Sequence, residues 1–373
     1  MKRLVLVGGG HAHLHVLKTL AAGAWPGIEV VLISPHARQV YSGMVPDWIA
    51  GHYRLDECAA ALGPLAQAAG VRFVQDSVVG MDAKRRIVTC AASGDIAYHA
   101  LSLDNGALVD TSSLVATGAA LLPIRPLERF IVDWDRRLAE FIAVGRARIA
   151  VVGGGAAGVE LALAIRYRLA SLLGTDKTEV FLVEGGTLLK GHGKQVVSRV
   201  SGVLESRGVL RIRGHAAGSE TGLLLSDGGN LALDCIVAAT GVVPPAWLAE
   251  SGLALAKDGF IAVGEGQQSV SHCNVFAAGD VATRVDIPHA KSGVYAVRAG
   301  PALSTNLRRF LSGQPIAPHR PQRGSLYLLA TGPKEAVVSW GGWSATGKWA
   351  WRWKNWIDRR FMKQYVRKEG GSA

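Results

Sequence analysis

Residues 148–165 read RIAVVGGGAAGVELALAI. A charged residue leads a short β-branched run, three glycines follow, and apolar residues then recur at helical spacing. The glycines complete a GxGxxG pattern, Gly153, Gly155 and Gly158, with Ala156 and Ala157 between the last two. The first makes the tight turn, the second admits a pyrophosphate to the backbone, and the third lets helix and strand pack closely. Free N–H groups and the dipole at the helix start favour the anion. About thirty residues on, somewhat beyond the usual spacing, the run 180–183 ends in Glu184. An acid there accepts both ribose hydroxyls of an adenosine and repels a 2′-phosphate. A plain βαβ unit with a glycine-rich turn accounts for the glycines, but neither for the acid nor for the repeat of the pattern elsewhere.

That repeat opens the chain: MKRLVLVGGGHAHLHVLKTL. Gly8 and Gly10 hold the first two glycine positions. His13 stands at the third, and the run 29–33 ends in Ser34 rather than an acid. A dinucleotide here would meet Ser34 or Arg38 at its ribose. The two copies predict an α/β protein of two Rossmann-like units. His11 and His15 stand one helical turn apart and could share a metal. No carboxylate or cysteine lies close in sequence to complete a shell. The glycines claim the same space for a phosphate, so no metal is expected. His13 then fills a packing slot, with His11 facing ligand or solvent.

The 373 residues, 49% apolar and 19% charged, suit a globular chain of two or three domains. A net charge of +12 draws a protein toward nucleic acid, anionic membrane or phosphate-bearing ligands. The four cysteines form no CxxC pair, which excludes a zinc knuckle or a local redox dithiol and suits a reducing compartment. The opening residues imitate a signal peptide only briefly and read as a strand. No run of eighteen uncharged apolar residues occurs, so a cytoplasmic protein is expected.

Two later segments, VAATG at 237–241 and VFAAGD at 275–280, stand in the order found in the pyridine nucleotide-disulfide oxidoreductase superfamily. The chain resembles these two-dinucleotide flavoproteins to about residue 315. The resemblance implies FAD at the first glycine motif and NAD(P)H at the second. GGGHAH, the segment YSGMVP at 41–46 and the tail from Trp340 resemble a narrower subgroup. That subgroup is often fused to selenide, water dikinase and described as an FAD-containing NADH dehydrogenase. It is similar to type II NADH dehydrogenases and sulfide:quinone oxidoreductases. No stretch of this sequence reads as the kinase, so a selenium link is inherited by association alone.

For FAD the resemblance implies Gly8, Gly10, His11, Ala12, His13, Ser34, Arg38, Ser42, Val78, Gly279 and Asp280. Asp280 would bond the ribityl or pyrophosphate region. For NADH, preferred to NADPH, it implies Gly153, Gly155, Ala156, Ala157, Gly158, Glu184 and Gly241. Three residues are implied at the chemistry, each with an ordinary alternative. Glu160 would lie near the nicotinamide, or is a first-turn acid favoured by the helix dipole. Pro46 would lie near the isoalloxazine, or is a loop proline. Lys291 would stabilise reduced flavin, or is a solvated lysine. Cys58, Cys90, Cys235 and Cys273 match none of the family's redox positions and read as small apolar core residues. Electrons would then pass from NADH through flavin straight to an acceptor, with a quinone first in line. Reduction of another acceptor, including a selenium compound, is the second reading. A non-catalytic flavin- or nucleotide-binding partner protein is the third.

The expected organisation interleaves: FAD domain over 1–118, NAD(P)H domain over 119–245, return to the FAD domain over 246–315, and a C-terminal segment over 316–373. Six of the ten tryptophans fall between Trp340 and Trp356. Beyond 347, Lys348, Arg352, Lys354, Arg359, Arg360, Lys363, Arg367 and Lys368 face only Asp358 and Glu369. Tryptophan mixed with basic residues suits a membrane interface, here the inner face of the membrane. The same residues suit core packing or a homodimer contact, and both readings stand. Nucleic acid is not expected. Helical projection puts Trp349, Trp353 and Trp356 on one face, with Trp351 and Met362 opposed.

Overall fold

The structure is a computed structural model describing residues 1–322 and 324–365. The first copy of the repeat runs β1 (Lys2–Val7), α1 (His11–Ala22), β2 (Ile28–Ile33), α2 (Val45–Ile49), β3 (Arg72–Val74) and β4 (Ala100–Leu103). The second runs β5 (Ala120–Pro123), α3 (Leu127–Val144), β6 (Ala147–Val152), α4 (Ala156–Leu173), β7 (Thr178–Glu184), β8 (Val209–Arg213) and β9 (Cys235–Ala238). The chain returns through β10 (Val275–Ala277) and α5 (Gly293–Leu311). After these come β11 (Tyr327–Ala330), β12 (Ala336–Trp340), β13 (Trp343–Gly347) and α6 (Lys348–Met362).

Two five-stranded sheets result, β10-β4-β1-β2-β3 and β5-β9-β6-β7-β8, and every pairing within them is parallel. This is the Rossmann-like architecture in duplicate. In each sheet the strand feeding the glycine loop is central. Such strands are covered on both faces and must be apolar throughout; Leu4, Val5 and Leu6 of β1 and Ile149, Ala150 and Val151 of β6 are sealed from solvent. Each unit also carries a three-stranded antiparallel meander, between β3 and β4 in the first and between β8 and β9 in the second. Register fixes the correspondence between the copies. Val7 lies beside Leu103 as Val152 lies beside Ala238. The next residues, Asp104 and Ala239, therefore occupy equivalent places beside Gly8 and Gly153.

Helices cover the sheets by close approach. A Cβ on Gly300 of α5 would lie 2.8 Å from the His15 Cβ of α1, so only glycine lets these helices meet as they do. Gly145 ends α3 in the left-handed region at φ 76°, returning its N–H to Phe141 O.

The last helix divides its faces. Trp351, Phe361 and Met362 of α6, with Tyr365 beyond it, join the core that holds β1 and α1. On the other side Trp349 and Trp356 are 47% and 58% exposed. Trp340 and Trp343, at the turn joining β12 and β13, are also exposed. The projected face holds for Trp349 and Trp356, and Trp353 is half-buried. Arg367, Lys368 and Glu369 lie outside the described residues. The cysteine expectation needs one correction. Cys58, Cys90 and Cys235 are buried, but Cys273 is exposed, because it lies in the turn ahead of β10 rather than in the strand. Among the described residues no helix is long and apolar enough to cross a membrane, and no cluster of three or more His, Cys, Asp or Glu could hold a metal.

Candidate functional site

The second glycine loop is open. Gly153 takes φ +137°, and a Cβ there would overlap the Ala239 carbonyl. A Cβ on Gly158 would overlap the Gly153 carbonyl. Both glycines are thus demanded by packing. Gly155 is not: a Cβ there would meet nothing within 4 Å. It caps α4 without any side-chain hydrogen bond, and the N–H groups of Ala156, Ala157 and Gly158 have no partner among the described residues. Glu184 ends β7 almost fully buried. Arg211 on β8 bonds its Oε1, and Arg213 lies 3.8 Å from the same oxygen. Its Oε2 is buried with no partner. Unsatisfied helix donors beside an unsatisfied acceptor fit a pyrophosphate and a ribose diol. Gly241 lies farther out, exposed, its carbonyl held by the Asp110 N–H.

The first loop differs. His13, at the third glycine position, turns inward. Its Nδ1 meets Gly8 O at 2.6 Å and its Nε2 meets Ser102 Oγ at 2.8 Å. The N–H groups of Ala12 and His13 end on Asp104 Oδ2, at 2.8 and 3.0 Å. His11 packs against Tyr41 and Phe361, with ring centroids 5.5 and 6.0 Å away. Burial holds both His11 and His13 down to about 4, so both are neutral at pH 7. Asp280 pairs with Arg125, which reaches across from just beyond β5.

The remaining FAD candidates line the carboxyl ends of the first sheet's strands. Ser34 follows β2, its Oγ near the His36 backbone, and Val78 opens the meander after β3. Ser42 Oγ lies 3.1 Å from where a Cβ on Gly293 would stand, so it adjoins the start of α5. Gly279 precedes Asp280 at φ +68°. Arg38 is exposed. Along this track His11 Nε2, Asn105 Oδ1 and Ser292 Oγ are buried without partners. Three orphaned polar atoms in one crevice fit a polar ligand such as FAD, although Asp104 already holds two of the helix donors.

Lys291 lines one cavity with Gly279, Asp280 and Ser292. Its ammonium bonds Ala282 O and Thr283 Oγ1 at 2.9 and 3.0 Å and lies 3.6 Å from the Phe260 ring centroid. Pro46 is buried in the first turn of α2, which packs on α4. Glu160 is half-buried on α4 and accepts the Ala330 N–H of β11 at 2.8 Å. Burial pushes its carboxyl up to about 7, against the opposing pull of Lys354 and of that N–H.

Lys354 belongs to a cluster that sequence reasoning missed. From α6 its ammonium reaches Gly43 O at 2.5 Å, Asp358 at 2.6 Å and Asp47 at 3.4 Å. Trp351 Nε1 donates to Asp47 at 2.9 Å. Burial works against the Lys354 charge, but Asp358, Asp47 and Glu160 overcome it and hold the ammonium above its usual range. Burial also raises Asp358, with Lys354 opposing. The members come from residues 43–47, 160 and 351–358; Lys354 and Asp358 stand at i,i+4 on one helix, and no local pattern joins the rest. Asp104 had a readable signal: an acid in LSLDNG at 101–106 where the second copy has alanine in VAATG.

Residues 2–300 match the sequence model of the family described as pyridine nucleotide-disulphide oxidoreductase. An NADH oxidase from Lactococcus lactis subsp. cremoris is 28% identical over 295 residues, covering 75% of this chain and 64% of the relative. The match therefore spans less than two thirds of that relative's length. A sulfide:quinone oxidoreductase from Aquifex aeolicus superposes with TM-score 0.80 at 18% identity, over 98% of this chain and 91% of its own. NDH2 from Plasmodium falciparum, solved with NADH, gives 0.78 at 12% identity over 98% of both chains. At these identities the two solved structures share the fold.

Proposed function

The chain belongs to the pyridine nucleotide-disulphide oxidoreductase family, and from that premise we propose that it is an FAD-dependent enzyme passing electrons from NADH through flavin directly to a quinone. The observation that carries this reading is the open start of α4 beside the unpaired Glu184 Oε2. The Ala156, Ala157 and Gly158 N–H groups bind the pyrophosphate of NADH, and Glu184 accepts the ribose hydroxyls. A 2′-phosphate would meet the Glu184 carboxylate, so NADH is preferred. The track from Ser34 past Gly8, His11 and Asp280 to Ser292 holds FAD. When bound, FAD supplies the two-electron acceptor that takes hydride from the nicotinamide.

The chain's own part is to exclude water and hold a proton. Asp47, Asp358 and the Lys354 ammonium are buried together, and the half-buried Glu160 adjoins them with its carboxyl toward the same charge. Such a grouping favours a proton on one acid, and burial places it on Glu160 near neutral pH. With Oε1 taken by Ala330 N–H, the proton sits on Oε2 and is available to a reduced quinone oxygen. The four exposed tryptophans, beside Lys348 and Arg352, rest on the membrane that carries the quinone. The reading keeps the division at 1–118, 119–245, 246–315 and 316–373.

Purified protein should show a flavin spectrum that bleaches with NADH and returns on adding a short-chain quinone. Bleaching without return would remove the quinone; no flavin after reconstitution with FAD would remove the whole reading. Quinone reduction by the wild type should fall as pH rises through about 7, as Glu160 loses its proton, and Glu160→Gln should lose that pH dependence. Vesicles of anionic lipid should sediment the intact chain at low salt and release it at high salt.

A further inference from the structure

Asp104 is 4% exposed and ties three segments together. Its Oδ2 holds the Ala12 and His13 N–H groups, and its carbonyl takes the Gly10 N–H at 3.2 Å. Its Oδ1 has no hydrogen bond among the described residues. That oxygen lies between two glycines: a Cβ on Gly10 or on Gly279 would each stand 2.5 Å from it. Gly10 opens α1 and Gly279 precedes Asp280, so Oδ1 faces the crevice outside the carboxyl ends of β1, β4 and β10. Open α/β sheets take their ligands in that crevice.

The charged and titratable groups around it are few. From α1 come His11 and His13, both neutral, His13 committed to Gly8 and Ser102. From beyond β10 comes Asp280, and from beyond β5 comes Arg125, which Asp280 engages. No Lys or Arg pairs with Asp104 among the described residues. A phosphate entering this crevice finds two helix donors already taken. It would also find two acids. An ionised Asp104 can only accept hydrogen bonds, whereas a protonated one donates through the O–H.

We propose that Asp104 clasps the pyrophosphate of FAD as a neutral carboxylic acid, with Oδ2 on the helix amides and the Oδ1 hydroxyl donating to a phosphoryl oxygen, so that the first loop takes up one proton with its cofactor above neutral pH. The inference rests on the FAD reading given above. Burial supports it by pushing the Asp104 carboxyl up to about 8, against the two amide bonds that favour the anion, with Asp280 adding to the rise. An arriving phosphate acts in the same direction. The second loop has Ala239 at this place and needs no such device.

The test titrates the flavin-stripped full chain with FAD between pH 6.5 and 9.5, following flavin fluorescence. Wild-type Kd should stay level at the acid end and rise about tenfold per pH unit above about 8. Calorimetry at pH 8.5, in buffers of different ionisation heat, should count about three quarters of a proton taken up per FAD. Asp104→Asn presents a carbonyl to the amides and an N–H to the phosphate without titrating, so its Kd should vary less than threefold over the range. A level wild-type Kd, or an equal slope in the variant, overturns the proposal. Should Asp104→Asn fail to fold, the wild-type proton count decides alone, and a count near zero overturns it. FAD binding without a pH slope removes only the Asp104 clasp, whereas no FAD binding at any pH removes the flavin reading as well.

Discussion

At the start of α4 three amide groups have no partner among the described residues; at the start of α1 two of the equivalent groups end on the Asp104 carboxyl. The strands, glycine turns and sheet orders of the two regions correspond. What separates them is a pair of residues. His13 replaces the third glycine and Asp104 replaces Ala239. The lesson is that a glycine motif specifies a backbone path, while the residue at the end of the neighbouring strand decides whether the helix's donors are offered or already used.

The comparison can be broken or sharpened in four ways. The largest effect concerns the buried imidazole. Folding holds His13 near 4 against 6.5 in the unfolded chain. Between those values the unfolded state binds more protons, so stability falls as pH drops through the window. The loss should reach about 3 kcal/mol at pH 4 for this group, with a similar share from His11. Urea unfolding from pH 7 to 4 measures it. Asp104 and Glu160, raised by burial, slope the other way, so the measure is the stability difference between wild type and His13→Gln, which should change by about 3 kcal/mol from pH 7 to 4; a constant difference would clear His13 of the effect. The second transplants the difference: Ala239→Asp should cap α4 as Asp104 caps α1. KM for NADH should rise on the order of 100-fold with the melting temperature held or raised; unchanged NADH kinetics would end the equivalence of the two positions.

Third, one substitution at matching glycines should give opposite results. Gly10→Ala collides with Asp104 and should cost about 2 kcal/mol. Gly155→Ala meets nothing and should stay within about 0.5 kcal/mol, while weakening NADH. Equal melting temperatures for the two variants would contradict the packing described. The smallest effect is in specificity. Arg211 and Arg213 already flank Glu184, so Glu184→Ser alone should leave them free for a 2′-phosphate. The NADPH to NADH ratio of kcat/KM should shift by at least about tenfold; a ratio that stays put would show that Glu184 does not read the ribose.

The second loop was legible because its logic is local: strand period, glycine spacing and the acid after the next strand all fall within 148–184. The first loop was legible only as a departure. His13 and Ser34 marked the misfit, yet the residue that explains it, Asp104, lies some ninety positions on. It becomes visible only when the strand ends of the two copies are set side by side. The cluster around Lys354 gave no signal at all, since a buried lysine in a basic, tryptophan-rich helix reads as one more surface cation. Helical period did set Trp349 and Trp356 opposite Trp351 and Met362, and the structure turns the first pair outward and the second inward, with Trp353 half-buried between them. For Cys273, apolar character misled, because a turn overrides what residue type suggests.

The placement of α6 has a consequence for how the chain is made. Trp351, Phe361 and Met362 complete a core whose other walls are β1 and α1, and the edge strand β10 of the same sheet arrives only at Val275–Ala277. The first unit therefore emerges from the ribosome with its sheet lacking an edge and its core lacking a wall. The second sheet is contiguous, from Ala120 to Ala238, and can close while synthesis continues. The second sheet can therefore pair all its strands before the first can, although Leu329 of β11 and Val337 of β12 still have to join its core, and the first sheet waits for β10 and its core for α6.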